Sequence, residues 1–151
     1  MRNKNLLITG SNGCVGQYIV TWFLKNSNYR LLLMVRNPNN LPISIRNNQR
    51  IYLLNCDIRD CNKFKKELSE TNYLIHTATA WGDPKRAYEV NVAAFEKLIG
   101  FLKSNRLEKI IYFSTASILD EKTELMRESL IYGTEYIQTK YQCYENLRKS
   151  S

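Results

Sequence analysis

Two residues near the end of the chain have the types and the spacing of an acid/base pair. Tyr136 and Lys140 are four residues apart, so they stack on one face if the segment is helical. A tyrosine is ordinarily protonated near pH 7, because its pKa is well above 7, so it cannot accept a proton there. A nearby ammonium stabilises the phenolate and lowers that pKa, which would let the tyrosine act as a base. The pair could therefore move a proton to and from a substrate hydroxyl. The same spacing is also common on ordinary helix surfaces.

The stretch Thr9–Gly16 has the composition of a phosphate-binding turn between a strand and a helix. It follows a short apolar run and precedes a segment whose apolar residues recur at helical spacing. Gly10 allows a tight turn, Gly13 allows backbone to approach a pyrophosphate, and Gly16 allows close packing of a helix on a sheet. The first N–H groups of the helix would face the phosphates. The predicted phosphate-binding residues are Gly10, Ser11, Asn12, Gly13, Cys14, Val15 and Gly16.

Arg36 bears on which dinucleotide such a turn would hold. It follows the second predicted strand, about 20 residues after the last glycine, where an acidic residue holds the ribose 2′-hydroxyl in NAD sites. A guanidinium at that position suits a 2′-phosphate through a bidentate contact. Arg36 therefore favours NADP over NAD, and the alternative is an ordinary exposed arginine at the end of a strand.

Asp57 and Ile58 follow the third predicted strand after a gap of two residues. The carboxylate of Asp57 could accept a hydrogen bond from an adenine amino group. It could equally cap the helix that follows, where an acidic side chain is favoured. The two roles do not exclude each other.

Small residues follow the fourth predicted strand, after His76, in the order Thr77, Ala78 and Thr79. Their size would let the ribose and diphosphate of a dinucleotide pass close to the backbone. His76 is the only histidine of the chain, and we predict a structural role for it rather than proton transfer. Thr115, which follows the fifth predicted strand, could supply a hydroxyl that orients a substrate oxygen.

The elements that must position these residues alternate between strands and helices. The predicted strands are 5–8, 29–35, 50–54, 72–76 and 109–113, and the predicted helices run from 17 to about 26–28 and over 61–70, 84–104 and 134–148, with an irregular loop over 37–49. This alternation predicts an α/β fold: a doubly wound parallel sheet of Rossmann type, in the order 3-2-1-4-5. A ligand would lie at the carboxyl ends of the strands, where the order reverses. The predicted apolar face of the 84–104 helix consists of Ala87, Val90, Ala94, Leu98 and Phe101 or Leu102.

Composition excludes several other classes. The chain has 151 residues, enough for one domain with one core, and no stretch approaches the roughly 18 apolar residues of a membrane span. The net charge of +8 is spread along the chain, which argues against a nucleic-acid partner. The four cysteines lack metal-site or disulfide spacing. With no room for a signal peptide before the first strand, we expect a cytoplasmic protein with no membrane partner and no metal.

Together these segments resemble the short-chain dehydrogenase/reductase superfamily, and within it the extended branch of NAD-dependent epimerases, dehydratases and reductases. The likeness covers nearly all of the chain. Thr9–Gly16 resembles the T-G-x-x-G-x-x-G of that family, Asp57 resembles its adenine-side acid, and residues 76–80 resemble its H-x-A-x motif. Asn91, followed by valine, resembles the Asn-Val of its central helix, and residues 114–117 resemble its Ser-Ser/Thr stretch.

The sixth motif is Tyr136 with Lys140, which resembles the active-site Y-x-x-x-K of the family. The resemblance implies that Tyr136 is the catalytic acid/base and that Lys140 binds the nicotinamide ribose and tunes Tyr136. It implies a cofactor-site position for Asn91 and the substrate-orienting hydroxyl for Thr115. A shift of one residue in the alignment would place Ala116 there instead and remove the hydroxyl.

Members of the extended branch usually continue for about as many residues again, which form a substrate lobe. We therefore expect residues 1–151 to form one NAD(P)-binding Rossmann domain without that lobe. The resemblance implies an NAD(P)-dependent epimerase/dehydratase or reductase, whose commonest substrates are nucleotide sugars. The alternative is a truncated, catalytically incompetent NAD(P)-binding module or one half of a split enzyme. A homodimer that pairs the 84–104 helix with the last helix is a further expectation.

Overall fold

Five parallel strands follow the alternation predicted from the sequence. The computed structural model describes residues 4–102 and 105–149. The strands are β1 (Asn5–Thr9), β2 (Arg30–Val35), β3 (Ile51–Asn55), β4 (Tyr73–His76) and β5 (Lys109–Tyr112). They pair in the order β3-β2-β1-β4-β5, so the predicted Rossmann-type order is confirmed.

The described residues divide into two compact units. The first unit contains the chain up to Ala78 together with Lys97–Phe113, and therefore the whole sheet. The second unit contains Thr79–Glu96 together with the residues from Ser114 onward. Among residues 4–102 and 105–149, none of the helices combines the length and the apolar character that a membrane span needs.

The centre of the sheet is apolar because its strands are buried on both faces. In β1, Leu6, Leu7 and Ile8 are all buried, although successive side chains point to opposite faces of the sheet. On one face, Leu6 and Ile8 pack in a cluster with Val20 of helix α1 (Cys14–Asn26). An unbroken apolar run such as that of β1 is therefore typical of a strand that is buried on both faces of the sheet.

The remaining helical elements alternate with or follow the strands. They are α2 (Ile43–Arg46), α3 (Lys65–Ser69), α4 (Pro84–Ala87), α5 (Ala94–Leu102), α6 (Glu128–Tyr132) and α7 (Glu135–Lys149), with 3-10 turns at Pro38–Asn40, Ile58–Phe64 and Ala116–Ile118 and a π-helical turn at Tyr88–Ala93. Helix α6 was not predicted. The helix predicted over 61–70 begins earlier, as a 3-10 turn capped by Asp57.

The prediction of an irregular loop over 37–49 was wrong, because two short helical segments lie there. The side chain of Asn37 accepts a hydrogen bond from the Asn39 N–H at 3.0 Å and caps the first 3-10 turn. Pro42 precedes α2, and the buried side chains of Leu41 and Ile45 anchor the segment. Local capping and two apolar anchors therefore ordered a stretch whose composition is typical of a loop.

The helix predicted over 84–104 is not a regular α-helix. Residues 103 and 104 lie outside the described part of the chain, and a π-helical turn separates α4 from α5. A π-helical turn is wider than an α-turn, so it shifts which side chains face inward. Asn91 and Val92 are buried, whereas Val90 is only half-buried. Val90 is therefore less buried than its place on the predicted apolar face implies, while the polar residue Asn91 is fully buried.

Candidate functional site

The glycine turn after β1 contains positions that only glycine can occupy. Gly10 has φ +67°, and a Cβ there would lie 2.7 Å from both the backbone nitrogen of Ala78 and the hydroxyl of Thr77. A Cβ at Gly16 would collide with the carbonyl oxygen of Gly10. Backbone segments therefore approach one another here more closely than any larger residue allows.

The start of α1 has the features of an anion-binding site. Gly13 is the N-cap residue and has no side chain to satisfy the first N–H groups of the helix. Cys14 and Val15, in its first turn, are exposed, so these groups are open to a ligand. The Ser11 hydroxyl is buried and has no hydrogen-bond partner among residues 4–102 and 105–149. An unpartnered hydroxyl in the turn that leads into an exposed helix start fits a phosphate-bearing ligand.

Hydrogen bonds fix the ends of β1 and β4 behind this turn. The Thr77 hydroxyl donates to the carbonyl oxygen of Thr9 at 2.8 Å. The Thr9 hydroxyl lies 2.9 Å from Nδ1 of His76, and the His76 ring stacks on Tyr112 with centroids 5.7 Å apart. The buried histidine thus connects two strands, as its predicted structural role requires. The small residues Thr77 and Ala78 stand directly beside Gly10.

Arg36 and Asp57 follow β2 and β3, which pair side by side. Arg36 is exposed, as the predicted contact with a 2′-phosphate requires. The Asp57 carboxylate accepts hydrogen bonds from the backbone N–H and the guanidinium of Arg59, at 3.0 and 3.1 Å. The Arg59 side chain is the main cause that lowers the pKa of Asp57, and Arg36 adds a smaller electrostatic contribution. Asp57 therefore caps the following turn, with Ile58 buried behind it, while its contact with adenine stays a prediction.

In the second unit, Tyr136 and Lys140 lie on the same side of α7. The Lys140 Nζ is 5.7 Å from the centroid of the Tyr136 ring. Lys140 is only 2% exposed, whereas Tyr136 is half-buried. Burial lowers the pKa of Lys140 from its ordinary value of 10.5 to about 8, and Cys143 opposes this slightly. The lysine is therefore still mostly protonated near pH 7 and can stabilise a negative charge.

Trp81 gives Tyr136 an aromatic neighbour that the sequence did not indicate. The two rings meet edge to face, with centroids 6.3 Å apart. Gly82 follows with φ +89°, and its N–H donates to the Glu135 carboxylate at the start of α7. The loop after Ala80 is thus tied to the helix that carries Tyr136, while the Trp81 ring remains largely exposed.

Asn91, 1% exposed, connects three segments of the second unit. Its Oδ1 accepts from the Ala80 N–H at 2.7 Å and from the Thr79 hydroxyl at 3.3 Å, and its Nδ2 donates to the Ala80 carbonyl at 2.8 Å. Its second amide hydrogen is donated to the Thr139 hydroxyl at 3.0 Å. Each amide position therefore has a protein partner. The cofactor contact predicted for Asn91 stays a prediction, and the geometry supports a positioning role.

Two residues of this network escaped sequence analysis because nothing in their local pattern marks them. Thr139 also donates to the backbone carbonyl of Tyr136 at 2.9 Å, and the Cys143 thiol donates to the backbone carbonyl of Asn91 at 2.9 Å. They are one helical turn apart on α7 and face the same residue. Their four-residue spacing indicates a shared partner, but only once Asn91 is known to be buried.

The hydroxyl of Thr115 has local partners. It caps the turn Ala116–Ile118 by accepting from the Ser117 N–H at 3.3 Å, and it lies 3.3 Å from the Ser117 hydroxyl. Its role toward a substrate stays a prediction. The neighbouring Ser114 hydroxyl is buried and has no hydrogen-bond partner within the residues that the structure describes. Among the described residues there is no group of three or more His, Cys, Asp or Glu side chains that could hold a metal ion.

The predicted residues thus fall into two groups, one in each unit. The first unit brings together the glycine turn, Thr77 and Ala78, with Arg36 and Asp57 after neighbouring strands. The second unit brings together Thr79, Asn91 and the helix that carries Tyr136 and Lys140, and it also contains Thr115.

Comparison with known proteins gives matches over nearly the whole chain. Residues 6–149 match the model of the NAD dependent epimerase/dehydratase family. A UDP-glucose 4-epimerase of Rickettsia bellii (strain OSU 85-389) is 26% identical over 126 residues, which cover 75% of this chain and 37% of the relative. A 3 beta-hydroxysteroid dehydrogenase/Delta 5-->4-isomerase of monkeypox virus is 27% identical over 128 residues, which cover 83% of this chain and 32% of the relative.

The fold is also found in solved structures. The UDP-N-acetylglucosamine 4-epimerase from Methanobrevibacter ruminantium M1, in complex with UDP-N-acetylmuramic acid, superposes with a TM-score of 0.79 at 22% identity. The match covers 99% of this chain and 51% of that one. The chain therefore spans about a third of the length of the two curated relatives and about half of this structure.

Proposed function

Because the chain belongs to the NAD-dependent epimerase/dehydratase family, we propose that it binds an NAD(P) dinucleotide and carries the acid/base residues of a hydride-transfer enzyme. The observation that carries the binding proposal is the glycine turn. Gly10 and Gly16 have no room for a Cβ, the residues of the first turn of α1 are exposed, and the Ser11 hydroxyl has no partner in the described part of the chain. These features suit a pyrophosphate held by backbone N–H groups.

The other predicted residues have roles in the same proposal. Arg36 would hold a 2′-phosphate, which makes NADP the preferred form. Asp57 and Ile58 would border the adenine. The segment from Thr77 to Thr79 would lie along the ribose and diphosphate. We also keep the prediction that residues 1–151 form one NAD(P)-binding domain and that the chain forms a homodimer.

The chemistry proposed for the second unit is proton transfer at Tyr136. A bound dinucleotide supplies the hydride acceptor and donor, at C4 of its nicotinamide ring. The Tyr136 phenolate would take the proton of the substrate hydroxyl, become a neutral phenol, and later return that proton. The Lys140 ammonium would stabilise the phenolate that exists before the uptake and after the return. Support comes from the 5.7 Å distance between Lys140 Nζ and the ring and from a lysine pKa of about 8, which leaves the ammonium in place near pH 7. The Thr115 hydroxyl is proposed to orient the substrate oxygen.

Nucleotide sugars are the proposed substrate class. One relative is by its name a UDP-glucose epimerase, whereas another is by its name a hydroxysteroid dehydrogenase, so the two classes must be tested side by side. Both kinds of substrate present a secondary alcohol to the acid/base residue. Turnover with one class and not the other decides between them.

A second candidate function is NAD(P) binding without turnover. The glycine turn favours it, because the features of that turn support cofactor binding independently of Tyr136 and Lys140. This candidate predicts cofactor binding without turnover. The first candidate predicts turnover that Tyr136→Phe abolishes.

Cofactor binding is tested by titrating the full chain with NADPH and NADH and following their fluorescence. Gly13→Ala is the informative variant, since its Cβ would lie 3.3 Å from the Gly10 carbonyl and would fill the turn without a forbidden backbone angle. Gly100→Ala is the matched control, because a Cβ there meets nothing within 4 Å. We expect wild type and Gly100→Ala to bind and Gly13→Ala to bind at least about 10-fold more weakly. Absence of binding by wild type at millimolar cofactor overturns the proposal.

A further inference from the structure

Two contacts on α7 converge on one buried residue outside that helix. The Thr139 hydroxyl accepts from Asn91 Nδ2 at 3.0 Å, and the Cys143 thiol donates to the Asn91 backbone carbonyl at 2.9 Å. Thr139 and Cys143 are four positions apart, so they lie on one face of the helix in successive turns. A side-chain and a main-chain atom of the same residue thus hold two consecutive turns of α7.

Asn91 is a suitable anchor because its own position is fixed. It lies in the π-helical turn and holds both the N–H and the C=O of Ala80 through its amide, at 2.7 and 2.8 Å. Those two bonds set which amide atom is oxygen and which is nitrogen, since a backbone N–H can only donate and a carbonyl can only accept. The nitrogen must therefore face Thr139, and rotation of the amide would break all of these bonds together.

The network reaches the proposed acid/base residues through the backbone of α7. The Thr139 hydroxyl donates its hydrogen to the Tyr136 carbonyl at 2.9 Å while it accepts from Asn91. Lys140 follows Thr139 directly in the chain and is 2% exposed. Two anchors one turn apart restrict both the rotation of α7 about its axis and its movement along that axis. Both freedoms determine where the Lys140 ammonium lies relative to the Tyr136 ring.

We propose that Thr139 and Cys143 are positioning residues that hold Tyr136 and Lys140 in place by fastening α7 to Asn91. The inference rests on the acid/base role proposed above for Tyr136 and Lys140. Neither positioning residue touches the reacting atoms in this proposal. The competing explanation is that both side chains only fill space in the interior of the unit.

The test separates hydrogen bonding from packing with variants of matched shape. Thr139→Val keeps the volume and loses the hydroxyl, and Thr139→Ser keeps the hydroxyl. Cys143→Ala loses the donor, and Cys143→Ser keeps one. Cys56→Ala, which removes another buried cysteine in the first unit, is the control for loss of a buried thiol.

The measurement is an NMR titration of the Lys140 side chain in the full chain with isotope-labelled lysine, assigned with Lys140→Arg. If α7 moves away from Asn91, the Lys140 ammonium becomes hydrated, and its pKa rises from about 8 toward 10.5. We expect this rise in Thr139→Val and Cys143→Ala, and not in Thr139→Ser, Cys143→Ser or Cys56→Ala. The electrostatic contribution of Cys143 raises the lysine pKa, so its removal in Cys143→Ala would lower that pKa and cannot cause a rise.

An unchanged Lys140 pKa in both Thr139→Val and Cys143→Ala overturns the proposal and leaves space filling as the role of the two side chains. If Thr139→Val does not fold, the comparison of Cys143→Ala with Cys143→Ser decides the question alone. The titration needs neither cofactor nor turnover. Failure of NADPH and NADH to bind would therefore count against the proposed function and not against the fastening of α7.

Discussion

The Lys140 Nζ lies 5.7 Å from the centroid of the Tyr136 ring, with the lysine buried and the tyrosine half-buried. A cation at this distance from an aromatic ring is attracted to it, more strongly where water is excluded. Burial makes the charge of the Lys140 ammonium energetically costly, and that same charge would lower the free energy of a Tyr136 phenolate.

Tyr136→Phe removes the phenol hydroxyl and keeps the ring that meets Trp81. We expect turnover to fall by about 10²- to 10⁴-fold, because the proton-transfer group is lost, while NAD(P) affinity is unchanged. Rates are measured with UDP-hexoses and with 3β-hydroxysteroids, and affinity is measured by cofactor fluorescence. Tyr132→Phe, on an exposed tyrosine of α6, is the matched control. A Tyr136→Phe protein with wild-type turnover would refute the acid/base role.

Lys140→Met should stabilise the fold near neutral pH. The lysine pKa is about 8 in the folded chain and ordinarily 10.5, so between these values the unfolded chain holds a proton that the folded chain has released. Stability therefore rises as pH increases from about 8 to 10.5, and below pH 8 the buried charge carries its full cost. We expect Lys140→Met to add about 2–3 kcal/mol at pH 7 and much less above pH 10.

Urea unfolding at pH 7 and above pH 10 checks this expectation. Lys85→Met, which replaces an exposed lysine on α4, is the control and should change stability little at either pH. Equal changes in the free energy of unfolding at the two pH values would show that the charge of Lys140 does not contribute to the effect of Lys140→Met.

Cys14 should be the fast-reacting thiol of the folded protein, and a bound dinucleotide should protect it. It is exposed in the first turn of α1, whereas the other three cysteines are buried. With a thiol reagent such as DTNB we expect one rapid reaction, absent in Cys14→Ser. NADPH at ten times its Kd should slow that reaction about 10-fold by mass action. Equal protection in Gly13→Ala would mean that the slowing does not come from cofactor in the turn.

Arg36→Ala should weaken NADPH binding and leave NADH binding unchanged. Charge-assisted hydrogen bonds to a phosphate are worth about 1.5–3 kcal/mol, so the Kd for NADPH should rise about 10- to 100-fold. Titrating both cofactors against the same variant provides the internal control. Parallel losses for NADPH and NADH would instead assign Arg36 a structural role.

The sheet and its glycine turn could be predicted because their signals are local. The apolar run over residues 31–35 belongs to a strand buried on both faces, and its composition predicts this. Gly10 occupies a turn that needs positive φ, and Gly16 occupies a position where a Cβ would collide with backbone. Apolar runs and glycine placement therefore predicted the strands and the turn, and the alternation of strands with helices predicted the strand order.

The helices were less predictable where tertiary contacts compete with periodicity. A regular 3.6-residue period assigned Val90 to the buried face of its helix. The π-helical turn instead buries Asn91, whose amide is satisfied by Ala80 and Thr139. No helical period predicts a turn that is stabilised by bonds to a distant helix and a distant loop.

The sequence by itself determined the family, the strand order, the glycine turn and the four-residue spacing of Tyr136 and Lys140. Short motifs identify the family, the turn and the pair, and the alternation of strands with helices predicts the strand order. Only the tertiary structure decided that Lys140 is buried with a lowered pKa and that Thr139 and Cys143 meet at Asn91. The partners in those two bonds are 48 and 52 positions apart in the chain. Burial and hydrogen bonding over such separations depend on how the chain folds back on itself, which no local pattern records.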